Sequence, residues 1–268
     1  TVAAEITALM SGISYHQSAL MAKAIGPFNK YALNVTPMRQ VIALHADAAN
    51  DLIDDSSCSA IAKAADLAWK LAREAGREHG FRNSKISVMA PTGTIAFMMD
   101  CDTTGIEPML NLMVHKKLVG QGVLKMPNAA VPRALRKLGY PESTIDVVLQ
   151  NIAALGTVES PSAAHPVLNQ QHKKIFQTAI GADPISVNGH LEMMAAIQPF
   201  LSGGISKTVN LPSTATVADV ADVYMKAWKL GLKCVAVYRD GCKRSQPVAS
   251  AHTDKSVGTA SFPMPTVE

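Results

Sequence analysis

The residues best suited to chemistry lie in one stretch, Ser87 to Pro108, which reads SVMAPTGTIAFMMDCDTTGIEP. Just before and within it, Lys85 to Ala90 has β-branched residues and the period-two character of a strand, and it stops at Pro91-Thr92-Gly93-Thr94. A strand that ends in a glycine-bearing loop can aim several backbone N–H groups at one point. Threonine hydroxyls beside them make an uncharged, directional cradle for phosphate oxygens. Gly93 lets the main chain approach an anion with no Cβ in between, and Thr92 and Thr94 supply the hydroxyls. An ordinary strand-to-helix turn uses the same residue types, so local chemistry leaves both readings open. The loop is not a Walker A motif, because the Gly-Lys-Ser/Thr ending is missing.

Other side chains are weaker candidates. Lys207, after Gly203-Gly204, is a candidate neighbour of an active site that binds an anion, although a structural or solvent-facing lysine is the plainer reading. Glu107-Pro108 reads as a turn-fixing pair, with a general-base role as the alternative. His190 and Glu192 fall on the expected polar side of a Met-rich helix. The histidines share no metal-ligand spacing, so no metal site is expected. No pair among Cys58, Cys101, Cys234 and Cys242 is spaced C-x-x-C. Cys101 is expected as a small buried hydrophobe, and Cys242 as an exposed spectator.

The elements that must position these groups come from the wider pattern. The chain has 268 residues, 48% hydrophobic and 17% charged, which suits a globular protein with a sizeable core. The net charge of +4 is spread over scattered Lys and Arg, with no basic stripe interleaved with aromatics, so nucleic acid is not an expected partner. No apolar run is long enough for a membrane span, and a cytoplasmic location is expected. The chain opens directly into a helical pattern, as if cut from a longer protein, and residues 251–268 read as a flexible tail.

Helices are expected over 2–10 and 16–24, broken at Ser11-Gly12, and over 38–50, 57–79, 129–138, 142–155, 166–180 and 187–201, with Pro199 ending or kinking the last. Residues 109–127 stay ambiguous. Strands are expected at 85–90, 205–211 and 234–238. Between the last two, Val217, Val220, Ala221, Tyr224 and Trp228 share one helical face behind a Thr216/Asp219 capping box. Strands separated by long helical connections imply parallel pairing and an α/β layout.

Three segments together resemble one family. Gly80-Phe81-Arg82-Asn83 with the P-T-G-T-I and M-D-C-D-T-T-G-I-E-P run is similar to the phosphate-loop region of adenosylcobalamin-dependent (class II) ribonucleotide reductases. Gln198-Pro199-Phe200 through Gly204-Ile205-Ser206-Lys207-Thr208-Val209-Asn210-Leu211-Pro212 is similar to a late barrel strand of that family. Trp228 to Lys233 and Tyr238-Arg239-Asp240-Gly241 are similar to its closing helix and strand.

The resemblance implies that residues 1–250 are the C-terminal part of a ten-stranded α/β barrel. It implies that Pro91, Thr92, Gly93, Thr94 and Ile95 hold the phosphates of a ribonucleoside di- or triphosphate. In such an enzyme adenosylcobalamin initiates a radical that a finger-loop cysteine uses on the ribose, and a cysteine pair supplies the reducing electrons. The remaining N-terminal part of the reductase and a thioredoxin-type reductant are implied partners, and a homodimer is compatible. The finger-loop pattern Asn-x-Cys-x-Glu does not occur in these residues. The catalytic residues are therefore expected upstream, and this segment alone is expected to be inactive. The alternative is a split or truncated half-barrel that serves only as a phosphate-binding or structural module beside a partner.

Overall fold

The computed structural model describes residues 1–53, 59–117, 123–159, 166–181 and 183–242. The helices in chain order are α1 (Val2–Ile25), α2 (Val35–Asp51), α3 (Ser59–His79), α4 (Gly93–Met98), α5 (Ala130–Lys137), α6 (Glu142–Leu155), α7 (Gln170–Lys173), α8 (Val187–Ile197) and α9 (Val217–Lys229). The strands are β1 (Met113–Lys117), β2 (Val123–Pro127), β3 (Thr208–Leu211) and β4 (Ala236–Arg239). They belong to two compact units, residues 1–108 with 185–240, and residues 109–184 with 241–268.

In the first unit, α1 runs unbroken through Ser11-Gly12, where the sequence suggests a break. The reason is packing. Ala4, Ala8, Ser11, Gly12, Tyr15 and Ala19 form the buried face of α1, and α3 meets it with Ala65, Trp69 and Ala72. A Cβ on Gly12 would lie 3.0 Å from Trp69 Cδ1, so the glycine makes room for an indole rather than ending a helix. Trp69 Nε1 donates to Ala8 O at 2.9 Å, which satisfies its one buried donor. Pro37 sits in the first turn of α2, where its missing N–H costs nothing.

The three expected strand segments lie side by side and parallel. β3 pairs with β4 in the register Thr208↔Ala236 to Leu211↔Arg239. Met89 forms a parallel bridge to Ile205, with Met89 N donating to Gly204 O and Ser206 N to Met89 O. Segment 85–90 forms that bridge, and Ser87 O also accepts from Gly203 N at 2.8 Å, but it is not a strand as expected. α8 ends at Ile197, and Pro199 falls in the single 3-10 turn Gln198–Phe200 that follows. α9 has its expected capping box, Thr216 with Asp219. Its buried face differs from the expected one: Val223 and Ala227 point inward, while Val217, Tyr224 and Trp228 are 88%, 51% and 72% exposed.

The second unit resolves the ambiguous stretch. β1 and β2 form an antiparallel pair, Met113↔Pro127 to Lys117↔Val123. Leu112, Val131, Leu135, Ile145, Val148, Ile152 and Phe176 make the core. Pro141 is the residue before α6, at its N-cap. The helix expected over 166–180 is reduced to α7, capped by the Asn169 side chain, and the 3-10 turn Lys174–Phe176. Gln177 is extended and Thr178 bridges to Pro184, so the chain leaves helical geometry there. The tail 251–268 and Cys58 lie outside the described residues.

Candidate functional site

Thr92 is the pivot of the loop after segment 85–90. Its φ is 52°, in the left-handed region, where a β-branched residue is strained. Its carbonyl accepts from Ala96 N at 2.8 Å, which places it at the cap of α4. A capping threonine ordinarily turns its hydroxyl back to an amide of the first helical turn. Thr92 Oγ1 accepts instead from Gly105 N at 2.7 Å. Among the described residues, the amides of Gly93, Thr94 and Ile95 then have no acceptor. Thr94 and Ile95 are exposed, and Pro91 is exposed beside them. A Cβ on Gly93 would meet nothing within 4 Å. The Thr92 hydroxyl keeps its own proton to donate.

The return limb is Cys101 to Pro108. Gly105 has φ 55°, and a Cβ there would lie 2.7 Å from Ala90 O, so only glycine lets this limb lie against the end of segment 85–90. Glu107 then fastens the limb to β3. Its Oε1 accepts from Thr208 N at 2.6 Å and its Oε2 from Lys207 Nζ at 3.1 Å. Lys207 Nζ also donates to Thr208 O at 3.1 Å and to His190 Nδ1 at 2.7 Å. Its side chain is 2% exposed.

Electrostatics agree with the geometry. Burial pushes the Lys207 ammonium down from the ordinary lysine value, and the Glu107 carboxylate opposes that shift. Burial, then the neighbouring Lys207 charge, lowers His190 to about 4. His190 is therefore neutral near pH 7. Nδ1 accepts from the ammonium, so the ring proton sits on Nε2, which has no partner among the described residues.

The structure thus keeps Thr92, Gly93, Thr94 and Ile95 in one partly exposed turn and leaves Lys207 buried beside β3, engaged by Glu107, His190 and the Thr208 carbonyl. His190 is buried rather than on a polar face, and Cys101 is exposed rather than buried. Cys101 lies in the first turn of the return limb, where its amide donates to Ala96 O at 2.9 Å. Cys242 is exposed, as expected. Sequence reasoning missed Gly105 and the His190–Lys207–Glu107 contact. Gly105 had a readable signal, a glycine between Thr104 and Ile106. The contact had none, because its members are up to 100 residues apart. Among the described residues, no three His, Cys, Asp or Glu side chains are grouped to hold a metal, and no helix is long and apolar enough to cross a membrane.

With parallel strand segments and a glycine-bearing loop at the end of one of them, the chain matches the family described as "Ribonucleotide reductase, barrel domain" over residues 1–238. It belongs to that family, and β3, β4 and segment 85–90 are part of its barrel. It is 47% identical over 97% of its length to the vitamin B12-dependent ribonucleotide reductase of Streptomyces avermitilis, and 45% identical over 95% to that of Streptomyces clavuligerus. The chain spans 27% and 26% of those two proteins. The α subunit of class Id ribonucleotide reductase from Actinobacillus ureae is a distant likeness, with a TM-score of 0.45 and 19% identity over 85% of this chain and 38% of that one.

Proposed function

We propose that this segment binds the phosphates of a ribonucleotide within a vitamin B12-dependent ribonucleotide reductase, which converts ribonucleotides to 2′-deoxyribonucleotides. The observation that carries the reading is the diverted cap. Thr92 accepts from Gly105, and the three successive amides of Gly93, Thr94 and Ile95 are left without an acceptor among the described residues, with open space at the Cβ position of Gly93. Free amides at a loop tip are a site for an anion. In this role Gly93, Thr94 and Ile95 donate N–H groups to phosphate oxygens, Thr92 and Thr94 add hydroxyls, and Pro91 stiffens the entry. The loop orients the nucleotide; the chemistry at the ribose belongs to groups outside it.

Adenosylcobalamin, when bound, would supply the initiating radical. Its binding is assigned to the whole reductase, of which this chain spans about a quarter, and no step is derived through it on this segment. The same reading makes the rest of the reductase an obligatory partner, with a thioredoxin-type protein as reductant, a cytoplasmic location, and a homodimer as the assembly. The close relatedness to the Streptomyces reductases favours it over a purely structural half-barrel.

Gly93→Asp tests the phosphate contact, because a Cβ at that position meets nothing within 4 Å and the backbone there is not in the left-handed region. In the complete reductase, ribonucleotide affinity should fall by at least about a hundredfold, ~2.7 kcal/mol, from crowding and charge repulsion. Affinity equal to that of the parent protein would remove the phosphate loop from the account.

A further inference from the structure

We infer that Glu107, held by Lys207, is a positioning residue of the phosphate loop: it pins the return limb to β3 and thereby keeps the Thr92 hydroxyl away from the amides that phosphate must occupy. The inference rests on the phosphate-loop reading and says how that loop is kept open.

Three observations carry it. First, the return limb is fastened at two points. Gly105 N holds Thr92 Oγ1, and two residues later both Glu107 oxygens are taken, one by Thr208 N and one by Lys207 Nζ. Second, Lys207 has no donor left for a ligand. Its three protons go to Glu107, His190 and the Thr208 carbonyl, so its charge serves the loop's scaffold. A buried ammonium is costly unless paired, and an apolar residue would fill the same space without that cost. Direction is what the ion pair adds: it fixes the carboxylate toward Thr208 and the limb with it. Third, Thr92 is held at φ 52°, a conformation that persists only where its surroundings over-determine it.

Releasing Glu107 frees the limb, and Gly105 withdraws from Thr92. Thr92 then relaxes to negative φ, and its hydroxyl turns back to cap α4, as a threonine in that place ordinarily does. The capped amides are no longer free for phosphate. The loop therefore competes with its own ligand unless Glu107 holds it open. His190 contributes by accepting one Lys207 proton at 2.7 Å, which leaves the ammonium oriented toward Glu107.

The test is steady-state kinetics of the complete cobalamin-loaded reductase with its ribonucleotide, on Glu107→Gln, Thr92→Gly, their double variant, and Gly93→Asp as the reference for the loop itself. Glu107→Gln should raise KM on the order of tenfold and leave kcat at saturation within about twofold, because the loss is one of binding. In the Thr92→Gly background there is no hydroxyl to recap the helix and no strain at positive φ. The Glu107→Gln penalty should shrink there to about twofold or less, a non-additivity that a general loss of stability would not produce. If Glu107→Gln leaves too little folded protein because Lys207 is left unpaired, Glu107→Gln with Lys207→Met removes both charges and is expected to show the same KM shift. A parent-like KM in a folded Glu107→Gln or neutral-pair enzyme, alongside a damaged Gly93→Asp, overturns the positioning role and leaves the phosphate loop standing. An equal penalty with and without the Thr92 hydroxyl, or a fall in kcat as large as the rise in KM, overturns it as well. Parent-like kinetics for Gly93→Asp would remove the loop reading and this inference together.

Discussion

Two regions of the first unit are fastened by opposite means. Where α1 meets α3, the contact is made of small apolar residues, and two glycines, Gly12 and Gly76, are set against the rings of Trp69 and Phe81. Where the loop of residues 91–107 meets β3, it is made of directed polar bonds: Gly105 to Thr92, Thr208 to Glu107, Lys207 to Glu107 and His190. The first kind of contact resists any change of volume but is indifferent to direction. The second adds little net stability per bond, yet it decides where each main-chain group points. A site that must present amides to an anion needs the second kind, and a frame that must not shift beneath it needs the first.

The largest expected effect is on the apolar side. A Cβ on Gly76 would lie 2.1 Å from Phe81 Cζ, and Phe81 is 1% exposed, so the ring has no free direction to move. Gly76→Ala should cost about 3 kcal/mol or more of stability through overpacking, read as a lowered denaturation midpoint of the complete protein. An unchanged midpoint would show that this contact is looser than described.

An intermediate effect belongs to the polar junction and depends on pH. His190 titrates near 6.5 when unfolded and at about 4 when folded. Between those values the unfolded chain takes up a proton that the native one refuses. Stability should therefore fall as pH drops from about 6.5 toward 4, with no further contribution from this group below that. His190→Gln keeps an acceptor for Lys207 and cannot titrate, so its stability profile should be flatter over the same window. A profile identical to the parent's would mean that His190 is not the buried neutral base described.

The smallest effect sharpens the contrast. Tyr15→Phe keeps the ring against Trp69 in the α1–α3 contact and removes only the hydroxyl with its bond to Ser202 Oγ at 2.6 Å. It should cost about 1 kcal/mol, since Ser202 Oγ keeps its bond from Ile86 N. A cost well above that, in the same denaturation measurement, would mean that this region too depends on polar direction.

The sequence was legible where local pattern and three-dimensional role coincide. β3 and β4 were readable because long helical connections between apolar runs leave only parallel pairing, whereas segment 85–90 runs parallel beside them without becoming a strand. The Thr216/Asp219 box was readable because a cap is a local device. Gly12 was misread because a glycine within a helical pattern looks the same whether it ends a helix or admits a tryptophan, and only the position of Trp69 separates the two. The face of α9 was misread because periodicity gives the spacing of an apolar stripe but not which side meets the sheet; Val223 and Ala227 face it. Residues 166–180 lost most of their expected helix because Gln177 turns extended to let Thr178 pair with Pro184, a partner outside the helical window. In the site, Thr92, Gly93 and Thr94 were nameable from residue type. The contacts that hold the loop and its return limb involve Gly105, Glu107, Lys207 and His190, whose side-chain partners lie from 13 to 101 residues apart.

The account turns on where the phosphates of the nucleotide come to rest. A structure of the complete reductase with bound ribonucleotide should place phosphate oxygens at hydrogen-bond distance, roughly 2.7–3.2 Å, from the nitrogens of Gly93, Thr94 and Ile95. Thr92 Oγ1 should still be engaged by Gly105 in that complex. Phosphates seated elsewhere, with the Thr92 hydroxyl folded back onto those amides, would contradict it.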